Sequence, residues 1–128
     1  MSTDERYLER IAELAPQLGE VVAKLKAECS PDATPVAVVG VGLAKAVIEH
    51  FDRLTKRIIR SVFEFCEDAL DGSTQDLAAL SMGFLESLQD ANDTKAFDFT
   101  SVIGFLGPKS REHCSAMDRF WKTMPRAL

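Results

Sequence analysis

The chain has 128 residues, 46% of them hydrophobic and 27% charged, enough to bury one core and too apolar for a disordered segment. A net charge of −5 and three widely spaced cysteines, Cys29, Cys66 and Cys114, argue against a basic nucleic-acid binder and against a small disulfide-stapled scaffold. The polar start MSTDERYLER lacks the apolar run of a signal peptide, and no apolar stretch approaches the roughly 20 residues of a membrane span, so a cytoplasmic protein is expected.

Thr3 or Asp4 can cap a first helix on which Tyr7, Leu8, Ile11 and Leu14 share a face. The same phase continues through Leu18, Val21, Val22 and Leu25, but Pro16 removes a backbone donor and crowds the preceding turn. Two short helices, or one kinked helix, are therefore predicted over 4–28. The segment CSPDAT (29–34) is a loop by composition, and Thr34-Pro35 supplies a cap followed by proline at the first helical position.

Residues 35–48, PVAVVGVGLAKAVI, admit two readings. In one, Val36 to Val41 is a buried strand and Gly40-Val41-Gly42 opens a dinucleotide-binding turn. That pattern is incomplete: Lys45 occupies the third small position, and no second β-α unit follows. In the other, Val36, Val39, Gly40, Leu43, Val47, His50, Phe51 and Leu54 form one face of a buried helix whose glycines permit close helix approach. The helix is preferred because the 3.6-residue period fits the whole stretch. A link near Asp52 to Thr55 is expected to end it.

Thr55 to Leu70 is strongly amphipathic, with Ile58, Ile59, Val62, Phe63, Phe65, Cys66, Ala69 and Leu70 on one side. Arg57, Arg60, Glu64, Glu67 and Asp68 occupy the other, and Arg60 can pair with Glu64 at i,i+4. Asp71-Gly72 ends this helix. Ser73, three residues before Asp76, then resembles a capping box and starts the central helix, Ser73 to Gln89. Its wide apolar arc of Leu77, Ala78, Leu80, Ser81, Phe84, Leu85 and Leu88 must touch two neighbours, while Asp76, Gly83, Glu86 and Asp90 form the opposite, acidic arc. The two helices are predicted to form an antiparallel hairpin packed through Phe63, Cys66, Leu77 and Phe84.

Ala91 to Thr94 (ANDT) reads as a loop. Phe97, Phe99, Val102, Ile103, Phe105 and Leu106 follow in a short helix capped by Asp98 or Thr100, stopped by Gly107-Pro108 and expected to plug the core. The last helix runs from about Pro108 to Thr123 with a stripe of Cys114, Met117, Phe120, Trp121 and Met124, where Trp121 reads as a core-edge anchor. The expected architecture is all-α: a single-domain bundle of six or seven helices over residues 1–128, stacked as antiparallel hairpins.

Charge is distributed unevenly. Residues 64–98 carry nine acids against Lys95 alone, a net of −8, whereas 43–63 and 99–128 each sum to +3. Such a middle repels nucleic acid and anionic membrane and either attracts a basic protein surface or serves, as acidic helices more commonly do, as a solvated face that keeps the protein soluble. Glu64, Glu67, Asp76, Glu86, Asp90 and Asp93 are the candidate contact residues. The two histidines, His50 and His113, have no companion nucleophile motif or metal-ligand spacing, so no catalysis, metal or cofactor is expected.

Two segments, GFLESLQ at Gly83–Gln89 and FLGPKS at Phe105–Ser110 leading to Phe120-Trp121, resemble a poorly characterised family of small all-helical bacterial proteins, some found beside polymorphic toxins. The resemblance covers about the C-terminal half. It implies an all-helical fold and an immunity role: binding and blocking one cognate toxin domain that presents a basic surface. Gly83, on the acidic arc, would then open a shallow contact point. The alternative is a helical adaptor or regulatory module using the same face for an unrelated partner.

Overall fold

The computed structural model describes residues 3–30, 32, 36–71 and 74–123, with side chains described from Arg6 onward except those of residues 36–37 and 121–123. Six α-helices and three short 3₁₀ turns account for the ordered elements, and there is no strand among the described residues. The helices are α1 (Thr3–Leu14), α2 (Pro16–Cys29), α3 (Val36–His50), α4 (Lys56–Leu70), α5 (Gln75–Asp93) and α6 (Pro108–Thr123). The 3₁₀ turns are Phe51–Arg53, Phe99–Ser101 and Ile103–Phe105.

The proline at the first position of α2 leaves Ala15 alone in an extended conformation, which separates α1 from α2 without a loop. Val36 to Gly42, the stretch with two readings, is helical, and its first glycine serves helix packing. A Cβ on Gly40 would overlap the Leu80 carbonyl oxygen and lie 3.1 Å from the Phe84 nitrogen, so α3 lies against the backbone of α5. Val39, Leu43 and Val47 are buried on that helix, while Val38 and Val41 stand on its open side.

The wide apolar arc of α5 has the neighbours it requires: α3 and α4 are both packed against it. Leu77, Leu80, Phe84, Leu85 and Leu88 have no exposed surface. Phe63 of α4 meets Phe84 edge-on at 5.4 Å between ring centroids, and the Ser81 hydroxyl donates to the Cys66 carbonyl at 3.0 Å. Those two pairings run in opposite chain directions, so α4 and α5 form the antiparallel hairpin predicted. Ser81 is polar in an apolar arc, and the bond to Cys66 removes the cost of burying its hydroxyl. The buried side chains of all six helices join in one connected cluster.

Four local expectations are corrected. The α5 cap is Thr74, whose hydroxyl accepts from the Leu77 N–H at 3.2 Å; the proposed cap Ser73 lies outside the described residues, as do Thr34-Pro35. Ala91 to Asp93 is not loop but the last turn of α5, since nothing in it breaks a helix. The helix closes further on, where Ala96 N–H bonds the Ala91 carbonyl, Lys95 N–H bonds the Asn92 carbonyl and Lys95 takes a φ of 63°. The segment before α6 is two 3₁₀ turns with Asp98 as cap, and it plugs the core through Val102 and Leu106 while Ile103 points outward at 42% exposure. Arg60, which could have paired with Glu64, lies over the Phe105 ring at 6.0 Å. The stripe on α6 buries Cys114 and half-buries Met117 but leaves Phe120 at 46% exposure; the side chains of Trp121 and Met124 are outside the described set. Among the described residues no helix is long and apolar enough to cross a membrane.

Candidate functional site

The acidic side of the α4/α5 hairpin is the surface on which a partner was expected, and much of it is occupied by α6. The reason begins in the sequence at Gly107-Pro108. Proline at the first position starts a helix well, but the residue before it has no side chain, so α6 lacks a local oxygen for its free N–H groups. Glu67 of α4 supplies one from across the fold. Its carboxylate accepts from the N–H groups of Lys109 and Ser110, both at 2.9 Å, and from the buried Ser110 hydroxyl at 2.9 Å. These are the two donors that a capping side chain ordinarily satisfies.

Gly107 is part of the same arrangement. A Cβ there would come within 2.5 Å of the Glu67 carboxyl carbon, and the carboxylate cannot retreat without losing its three bonds. Partial burial pushes the Glu67 pKa up, but the N–H groups, the Ser110 hydroxyl and the Lys109 ammonium outweigh it and hold the carboxyl below its usual value. One turn along α4, Asp71 lies 3.7 Å from the Lys109 ammonium.

On α5, Glu86 is half-buried with an oxygen 3.8 Å from His113 Nε2. Gln89 is buried and donates to the Cys114 carbonyl at 3.1 Å and to Asp118 at 3.2 Å. Two atoms of this α5/α6 contact have no hydrogen-bond partner although they are buried: Gln89 Oε1 and His113 Nε2. The candidate residues therefore divide. Glu67 and Glu86 face α6; Asp76, Asp90 and Asp93 are exposed along α5; Gly83 is half-buried. Glu64 is exposed but lines clefts with Arg10 and Glu13 of α1 and with Phe105 of the 3₁₀ segment, apart from the α5 carboxylates.

Gln89 and Ser110 were not singled out from the sequence; Asp71 was read only as a helix end and His113 only as a histidine without a ligand set. The one available signal was the missing cap at Gly107-Pro108, which says that a donor pair needs an acceptor without saying where it comes from.

His50 finds Arg53 and Glu49 at 3.5 and 3.9 Å. Burial, offset in part by the Ser81 hydroxyl and reinforced by the Glu67 charge, pushes the Cys66 thiol up to about 12. Burial and then the charges of Asp118 and Glu86 raise Cys114 to about 12. Neither supplies a thiolate near neutral pH. A cleft between α2 and α3 has Val21, Leu25 and Gly42 at its base and Glu20, Lys24, Glu28, Lys45 and Glu49 around it, a mixture of charges that selects no single ligand. Comparison with protein families, with curated proteins and with solved structures returns no match to this chain.

Proposed function

We propose that this is an immunity-type protein that binds and neutralises a cognate bacterial toxin domain through the acidic surface of the α4/α5 hairpin. The observation that carries the reading is the placement of Asp90 and Asp93. Both are exposed in the last turn of α5, which contains no basic residue, so they stand at the negative end of the helix dipole. Their charge opposes the dipole at that end, and on this reading it serves an electrostatic role towards a partner. With α6 carrying a net charge of +2 against the −8 of residues 64–98, an acidic excess is left to steer a basic cleft.

The test is co-purification with the product of the adjacent upstream gene, followed by toxin rescue in cells and binding kinetics at two ionic strengths. Asp90→Lys with Asp93→Lys should lower the on-rate about tenfold at low salt, and the wild-type on-rate should fall as salt is added. Full protection by the double variant with unchanged kinetics would remove the acidic surface from the inhibitory contact.

A further inference from the structure

We infer that this chain pairs with a second copy of itself through the outer face of α4, the two α4 helices lying antiparallel across a two-fold axis. The inference goes beyond the proposed toxin binding and does not depend on it. It rests on the order of charge along α4.

Residues 53–71 contain eight charged side chains, and each base has an acid at the same distance on the other side of Val62. Arg60 and Glu64 lie two positions from Val62, Arg57 and Glu67 five, Lys56 and Asp68 six, Arg53 and Asp71 nine. In an isologous antiparallel pair centred there, every residue meets its mirror position in the other copy, so base faces acid along the whole helix. A slip of one turn either way sets Arg60 or Glu64 against its own counterpart, so like-charge repulsion selects this one register. The start of α4, with Lys56 and Arg57 and the positive end of the dipole, also meets the end that has no base and the negative dipole.

The structure leaves this face open. Lys56, Arg60, Glu64 and Asp68, four residues apart, form one stripe opposite the buried Ile59, Val62 and Cys66. All four are exposed, and none joins an ion pair among the described residues. Glu67 and Asp71 are already held by α6, and Arg53 by His50, so contact across the axis falls to the stripe. A cleft lined by Gly104 and Phe105 runs along one flank and a cleft lined by Leu14 and Phe65 along the other, which makes α4 a ridge between two grooves. Because the axis lies in the plane of contact, each cleft faces its own counterpart.

Sedimentation equilibrium on the full-length chain tests the pairing. A monomer–dimer equilibrium is expected at about 0.05 M salt and should weaken about tenfold at about 0.5 M, since exposed ion pairs are individually weak and screened. Lys56→Glu with Arg60→Glu, and Glu64→Lys with Asp68→Lys, should each lower self-association about 100-fold without altering the helical circular dichroism. Mixed in equal amounts, the two double variants should form a heterodimer at least as tight as the wild-type dimer. All four substitutions together keep the net charge and should restore the homodimer in the same register. The two doubles remove the same pairs from opposite sides, so either one that folds is decisive. A wild-type monomer at low salt, a dimer indifferent to the double variants, or a fourfold variant that stays monomeric would overturn the pairing.

Discussion

The interfaces of α5 with α3 and with α6 are built on opposite principles. Against α3, Gly40 brings two backbones together, and Leu43, Val47, Leu80 and Phe84 exclude water on either side of it. Against α6, the contacts among the described side chains include an amide, an imidazole and a carboxylate, and Gln89 Oε1 is buried without a hydrogen bond. Apolar close packing is cooperative and insensitive to pH or salt. A polar seam is specific in its directions but yields to protonation, screening and competition.

That contrast is broken most severely at Phe84. Truncation to alanine in the fully buried α3/α5/α4 junction should cost about 3–5 kcal/mol, read as a large fall in denaturant midpoint. A midpoint equal to wild type would show that the junction is not the core. Gly40→Ala should cost about 1–3 kcal/mol, because the new methyl meets a backbone carbonyl that can move only if the helices part. No loss there would mean that α3 does not lie on the α5 backbone.

The α6 seam should respond differently. Glu67→Gln should cost about 1–3 kcal/mol in local stability, seen at α6 before the rest of the fold. Because the Glu67 carboxyl is held below its usual value, its stabilisation is fully present above the ordinary carboxylate range. It is lost as pH falls through the lowered folded value. The lone tryptophan, Trp121, lies on α6 and gives the signal: its fluorescence should change on acidification before the helical circular dichroism is lost. Simultaneous loss of both signals would mean that α6 and the core unfold as one unit. The smallest effect is expected at Lys95, whose φ of 63° suits glycine. Lys95→Gly should stabilise the protein by up to about 1 kcal/mol, and a destabilisation would show that the Lys95 side chain contributes more than its backbone conformation costs.

Helix positions were legible because their causes lie within a few residues. Pro16 splits α1 from α2, the amphipathic run from Thr55 to Leu70 marks α4 to within one residue, and the apolar arc from Leu77 to Leu88 announced a helix with two neighbours. Even the choice between strand and helix at Val36–Gly42 followed from period, since seven apolar or small positions and His50 continue in one helical phase through Leu54. The errors at Ser73, at Ala91–Asp93 and at Phe97–Leu106 all concern ends and short turns, where one hydrogen bond decides the boundary.

The acidic face shows where local reasoning stops. From residues 64–98 alone, Glu67 and Glu86 are solvent-facing carboxylates on two adjacent helices. Their actual neighbours, Ser110 and His113, lie 43 and 27 residues further along, and no periodicity connects them. Sequence by itself determined the helices, their buried faces and the excess of charge, because those are properties of spacing and composition. Only the tertiary structure decided which carboxylates face α6 and which stand exposed along α5. Capping a helix whose cap position is a glycine requires an oxygen from elsewhere, and which oxygen arrives is settled by how α4, α5 and α6 pack, not by any residue taken alone.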